Sequence, residues 1–149
     1  LQKKYLNFLN TRHKNAKLFG ICLGMQVFST YGEEFGKSKG LNYIPGKTVK
    51  FEDKSDKLIL PFVGYHKVEF KKLKKYFFLK EFNNKKFYFV HSYHVIPEKK
   101  SSILSTTKQQ GITYCSSIIN DRYLGTQFHP EKSGELGLEF LKKVINKFI

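Results

Sequence analysis

The sequence predicts one α/β domain over residues 1–149, and three observations carry that expectation. First, the apolar pair Leu18-Phe19 runs into Gly20-Ile21-Cys22-Leu23-Gly24 and out into Met25-Gln26-Val27-Phe28, a short strand turning sharply into a helix. Second, the middle of the chain alternates apolar and polar residues with period two, as half-buried strands do. Third, the C-terminal stretch repeats apolar residues at helical spacing.

Taken in order, residues 1–15 read as a helix with Tyr5, Phe8 and Leu9 on its apolar face. Residues 16–21 read as a buried strand, and residues 24–31 as a helix ended by Gly32. A Gly- and Lys-rich loop follows, with Glu33 and Glu34 at its start. Residues 47–51 alternate, residues 53–56 form a turn, and Leu58-Ile59-Leu60-Pro61 leads into a second alternating run over 64–70. Residues 71–82 fit a short helix or an exposed loop equally well. Residues 87–90 are a buried strand running into His91-Ser92-Tyr93-His94; residues 103–107 and 112–119 are strands. The Asn120-Asp121 pair marks a turn, so residues 112–119 and 123–128 are expected to form a hairpin. The second of these strands delivers His129-Pro130-Glu131. A helix then starts at Ser133 or Gly134, with Leu136, Phe140, Val144 and Phe148 on its apolar face, widened by Leu141 and Ile145.

Composition narrows the function class. No apolar run is long enough to span a membrane, and no signal peptide is visible. Two cysteines, Cys22 and Cys115, are too few for a disulfide framework, so a reduced, cytoplasmic protein is expected. The net charge of +15 raises the question of nucleic acid, but the lysines are scattered and Arg12 and Arg122 are the only arginines. With the bidentate readers of bases and phosphates nearly absent, nucleic acid is not the expected partner; an acidic protein or an anionic metabolite suits the charge as well. No CxxC or HExxH is present, so neither a metal nor another cofactor is expected.

The chemistry falls on three places: the Cys22 turn, His91-Ser92-Tyr93-His94, and His129-Pro130-Glu131. A cysteine at the tip of such a turn faces helix N–H groups that favour thiolate over thiol, and the N–H of Leu23 can stabilise an oxyanion. A thiol attacking an amide needs a base that later protonates the leaving amine, and histidine suits that task near neutral pH. Glu131, two residues past His129 with Pro130 fixing the bend, can reach back to orient the ring. Plainer readings stand beside these: a buried inert cysteine, an end-of-strand histidine, and a carboxylate placed at a helix N-terminus for its dipole.

Together, Gly-Ile-Cys-Leu-Gly-Met-Gln at 20–26, Val-His-Ser-Tyr at 90–93 and Gln-Phe-His-Pro-Glu-Lys-Ser at 127–133 resemble the class I (triad) glutamine amidotransferases. More narrowly, they are similar to the glutaminase subunits of imidazole glycerol phosphate synthases. The resemblance implies a Rossmann-like fold, with a central, mostly parallel sheet and an added antiparallel section. It implies catalysis by Cys22, His129 and Glu131, with Leu23 as backbone oxyanion donor. It implies a glutamine site bordered by Gly24, Gln26, Glu34, His91, Ser92 and Tyr93, where Glu34 holds the substrate's amino group. It also implies a heterodimer in which ammonia is channelled to a (βα)8-barrel cyclase subunit that makes imidazole glycerol phosphate in histidine biosynthesis, with Lys132 at the subunit interface.

Two departures from the family pattern shape the expectations. The family carries further βα units, with an oxyanion loop, ahead of the elbow strand. On the resemblance this chain is N-terminally truncated, and an inactive fragment is one alternative. The segment Pro61-Phe62-Val63-Gly64-Tyr65-His66 has Tyr65 and His66 where the family has Trp and Asn on the face toward the partner. That change raises a second alternative: a paralogue supplying ammonia to an N-sugar amidotransferase of surface-polysaccharide biosynthesis.

Overall fold

A computed structural model describes residues 16–34, 36–52 and 58–149. The helix expected over residues 1–15 and the turn expected over 53–56 lie outside the described residues. The chain runs through β1 (Leu18–Ile21), α1 (Leu23–Gln26), β2 (Tyr31–Gly32), β3 (Ser38–Lys39), β4 (Gly46–Lys50), β5 (Phe62–Lys67) and β6 (Glu69–Phe70). A 3-10 turn at Phe77–Phe82 precedes β7 (Lys86–His91) and β8 (Tyr93–Pro97). Then come β9 (Ile103–Gln109), β10 (Ile112–Ile119), β11 (Tyr123–Thr126), a 3-10 turn at Pro130–Lys132, and α2 (Gly134–Lys147).

Three sheets result, ordered β1-β11-β10-β9-β6, β3-β2-β4-β8 and β5-β7. The sheets are mixed, joining parallel and antiparallel sections as the sequence leads one to expect. Among the described residues only β1 with β11 and β2 with β4 run parallel; the other six pairs are antiparallel. The reason is connection length. β9, β10 and β11 follow one another through two- and three-residue links, which can only fold strands back on themselves. The parallel pair β1–β11 is instead closed by residues far apart in sequence, with Ile21 opposite Thr126.

The sheet of β1, β11, β10, β9 and β6 is buried on both faces. Tyr114, Ile119 and Leu124 join a core rich in phenylalanine, whereas Cys115 and Ile118 face a second cluster with Met25, Phe28, Ile44 and Val95. In the first core, the α2 residue Phe140 packs its ring 5.3 Å from Phe82, 5.4 Å from Phe87 and 5.4 Å from Phe128. These edge-on arrangements suit aromatic quadrupoles. The apolar face of α2 is narrower than expected. Gly137, Phe140, Val144 and Phe148 are buried, but Ile145 is exposed. Gly137 takes part because α2 sits directly on the preceding turn: a Cβ there would lie 1.8 Å from the Pro130 carbonyl oxygen.

The helix expected over residues 24–31 stops at Gln26, and its hydrogen bonds show why. The Gln26 carbonyl accepts from the Ser29 N–H at 3.1 Å, the Ser29 hydroxyl at 2.7 Å and the Thr48 hydroxyl at 3.2 Å. The Thr30 N–H, which would extend the helix, donates instead to the Gly46 carbonyl at 2.9 Å. The strand expected over 123–128 likewise ends at Thr126. The His129 N–H leaves that sheet and donates to the Tyr88 carbonyl at 2.8 Å, forming an isolated antiparallel bridge to β7. That crossing brings the residues after β11 over to β7. Residues 71–82 resolve into a loop ending in the 3-10 turn, with Leu79 and Phe82 buried as anchors. Among the described residues no helix is long and apolar enough to cross a membrane.

Candidate active site

Cys22 stands between β1 and α1 with φ 52° and ψ −105°. A residue with a side chain avoids that region at a cost of about 1–3 kcal/mol, so the surrounding structure must hold it there. The Cys22 N–H donates to the Thr126 carbonyl at 2.7 Å, and its own carbonyl accepts from the Gln26 N–H at 3.1 Å. Gly20 makes the turn possible by close approach: a Cβ on it would lie 2.5 Å from backbone atoms of Gly24. Gly24 is different, because a Cβ there would meet nothing within 4 Å. It leaves open space beside the nucleophile rather than filling a tight contact.

The thiol is half-buried. Its sulfur accepts from the Gln127 side-chain amide at 3.5 Å and lies 4.0 Å from the Val90 carbonyl. Burial raises its pKa above the ordinary value, the Leu23 N–H and the Gln127 amide oppose the rise, and the Glu131 and Glu34 carboxylates add to it. The resting sulfur is therefore a protonated thiol at neutral pH that needs a base.

His129 follows β11 as Cys22 follows β1, and the parallel register of those strands puts both residues past the same sheet edge. Its Nδ1 lies 2.6 Å from Glu131 Oε1. A carboxylate there accepts the Nδ1 proton, which leaves the Nε2 lone pair as the working atom of the ring. Nε2 is buried and has no protein hydrogen-bond partner. Among the described residues no hydrogen bond joins the ring to Cys22, so the site rests with its base unengaged. The turn carrying His129 and Glu131 is pinned by the last residue of the 127–133 motif, whose role the sequence does not reveal: the buried Ser133 hydroxyl donates to the His129 carbonyl at 2.7 Å and accepts from the Tyr88 N–H at 3.0 Å.

The other expected site residues divide. Leu23, Gln26 and Glu34 line a cleft of about 160 Å³ against α1, with Ser29, Lys39 and Thr48. Glu34 is exposed there, close enough for its charge to act on Cys22. His91 does not face this cleft. Its ring is buried among Phe51, Phe62, Phe89 and Tyr114, with Nδ1 2.8 Å from the Tyr93 carbonyl and Nε2 3.3 Å from the Tyr114 hydroxyl. Burial pushes its pKa down to about 4. The Ser92 carbonyl accepts from the Phe51 N–H at 3.2 Å, and the Tyr93 carbonyl accepts from Gln26 Nε2 at 3.1 Å. This segment thus meets the elbow through its backbone. Tyr65 and Lys132 come together, the exposed Tyr65 hydroxyl donating to the Lys132 carbonyl at 2.9 Å. His66 lies nearby, along a groove with Lys67, Lys86 and Lys108. Among the described residues no three His, Cys, Asp or Glu side chains cluster as a metal would require.

The family model described as Glutamine amidotransferase class-I matches residues 2–147. The imidazole glycerol phosphate synthase subunit HisH of Chlorobaculum tepidum is 41% identical over 129 residues, covering 87% of this chain and 63% of that protein. The same subunit of Syntrophotalea carbinolica is 39% identical, covering 83% of this chain and 61% of that protein. Subunit HisH 2 of Methanococcus maripaludis is 39% identical over 144 residues, covering 95% and 69%. The chain therefore spans a little over three fifths of the length of the first of these relatives, at 63%. Among solved structures, a Thermoplasma acidophilum protein assigned to GMP synthase superposes with a TM-score of 0.64 at 17% identity. That match covers 95% of this chain and 61% of the other, a likeness of fold.

Proposed function

This chain belongs to the class I glutamine amidotransferase family, and on that premise we propose that it is a glutaminase, hydrolysing the side-chain amide of glutamine to glutamate and ammonia. The observation that carries the reading is the polarised histidine. Glu131 holds Nδ1 of His129 at 2.6 Å, and the buried Nε2 is left free past the same sheet edge as the Cys22 elbow. Nε2 takes the thiol proton as the Cys22 sulfur attacks the amide carbon. The Leu23 N–H, at the start of α1, stabilises the oxyanion that forms. The imidazolium gives its proton to the leaving nitrogen, and ammonia departs from a glutamyl thioester. Water, deprotonated by the same Nε2, then releases glutamate and restores the thiol. The cleft beside α1 suits the amino-acid end of glutamine, with the Glu34 carboxylate facing its ammonium group.

The relatives' names support one ammonia acceptor. Proteins about 40% identical to this chain carry the name of a synthase subunit, which supports a partner cyclase that makes imidazole glycerol phosphate in histidine biosynthesis. On this reading the complex is a cytoplasmic heterodimer, with Tyr65, His66 and Lys132 on the face toward the cyclase.

The test is glutamine hydrolysis, read as glutamate formed, with and without the cyclase and its nucleotide ligand. Cys22→Ala is expected to abolish it, and wild-type hydrolysis by that variant overturns the assignment. Stimulation by the cyclase supports the histidine pathway. Stimulation by an N-sugar amidotransferase instead assigns the chain to a surface-sugar pathway.

A further inference from the structure

We propose that Gln127 is a positioning residue for the nucleophile: its side-chain amide, oriented by Gln26, donates to the Cys22 sulfur and holds it as an aimed thiolate during attack. The two amides form a chain whose direction is dictated at one end. The Tyr93 carbonyl can only accept, so the group 3.1 Å from it must be the NH₂ of Gln26. The second proton on that nitrogen reaches Gln127 Oε1 at 3.2 Å. With its oxygen turned toward Gln26, Gln127 presents its own NH₂ to the sulfur, at 3.5 Å. An isolated amide has no such preference between its two ends; here the backbone of β8 sets it from two residues away.

Burial makes the arrangement costly without a task. Gln127 is fully buried and Gln26 nearly so, and an amide in such surroundings costs stability unless its hydrogen bonds are made. The backbones are equally constrained, because the Gln127 N–H donates to the Ser116 carbonyl at 2.9 Å and the Cys22 N–H to the Thr126 carbonyl at 2.7 Å. The charges facing the sulfur, Glu131 and Glu34, are both negative and disfavour a thiolate. The donors that favour it are the Leu23 N–H and the Gln127 amide. Only the second is a side chain, so only it can be changed by substitution. A thiolate accepts a hydrogen bond better than a thiol or a thioester does, so the contact is strongest in the species that attacks.

The inference rests on Cys22 being the nucleophile of the proposed glutaminase, and its test reads the thiol rather than the reaction. The rate of Cys22 alkylation by iodoacetamide is measured against pH in wild type, Gln127→Met and Gln127→Glu. Peptide mapping separates Cys22 from the buried Cys115, whose thiol burial pushes up to about 12. Losing a donor to a charged acceptor is expected to raise the midpoint of the profile by about one pH unit in Gln127→Met, slowing alkylation at pH 7 about tenfold. Gln127→Glu, which puts a carboxylate against the sulfur, is expected to raise it further. Should Gln127→Met fail to fold, Gln26→Met keeps Gln127 but releases its orientation, and a smaller rise is expected. A folded Gln127 variant with the wild-type midpoint overturns the proposal. A raised midpoint in a protein whose wild type hydrolyses no glutamine upholds the positioning role and overturns the glutaminase reading.

Discussion

Replacing Gly20 with alanine should damage both the stability and the chemistry of this protein, and the size of the damage follows from the elbow's geometry. The new Cβ would lie 2.5 Å from the carbonyl carbon and oxygen of Gly24 and 2.9 Å from the Met25 nitrogen. All three are backbone atoms, so no side chain can swing away. Ordinary contact begins near 3.4 Å, which requires α1 and β1 to separate by about 0.9 Å. Neither element is free to move. β1 is registered to β11 over four residues, and Met25 is packed so closely on β11 that a Cβ at Gly125 would lie 2.8 Å from its side chain. Forced separation of this kind costs about 1–3 kcal/mol, and a domain of this size loses roughly 2–8 °C of melting temperature for each kcal/mol. Cys22 sits within the displaced turn, and misplacing a reacting group by about 1 Å costs on the order of 100-fold in rate. Thermal unfolding followed by circular dichroism reads the first effect, and glutamate production from glutamine reads the second. Gly24→Ala is the matched control, since its Cβ meets nothing within 4 Å and alanine is the better helix former by about 1 kcal/mol. Its stability should be unchanged or higher. A Gly20→Ala protein that melts with the wild type and hydrolyses glutamine at the wild-type rate would refute the close-approach argument for the elbow.

Two further outcomes follow from the geometry. Burial holds the pKa of His91 near 4 against an ordinary 6.5, with the Tyr93 carbonyl opposing and the nearby His94, His129 and His66 adding to the fall. Between those values the unfolded chain binds a proton that the folded chain refuses, so stability is full above pH 6.5 and falls as pH drops toward 4. Urea unfolding at pH 7 and pH 5 should differ by about 2 kcal/mol from this residue, and His91→Gln should lose that part of the difference. Tyr65→Phe removes the hydrogen bond to the Lys132 carbonyl at an exposed site, so unfolding free energy should fall by no more than about 1 kcal/mol. On the proposed interface its affinity for the cyclase, measured by calorimetry, should fall more than its stability does.

The sequence by itself determined whatever depends on neighbours in the chain. Glycine at 20 and a helix-compatible run after Cys22 marked the elbow, and a histidine and a glutamate two residues apart around a proline announced the 2.6 Å contact between them. The strands over 87–90 and 112–119 were legible because their apolar content has a local signature, as was the α2 face built on Phe140 and Val144. What the tertiary structure alone decided joins residues distant in sequence. No period of the sequence signals that Gln127 reaches Cys22 across 105 positions, or that Gln26 reaches the Tyr93 carbonyl across 67. The helix after Cys22 ends sooner than its sequence suggests, because the Gln26 carbonyl and the Thr30 N–H bond in part to Thr48 and Gly46, residues of another strand. His91 was assigned to the substrate site by its motif, yet its ring turned inward, because the side chains of a strand alternate between faces and only the packed sheets decide which face is the core. Local order is written in spacing; the side on which a residue spends its chemistry is decided by what packs against it.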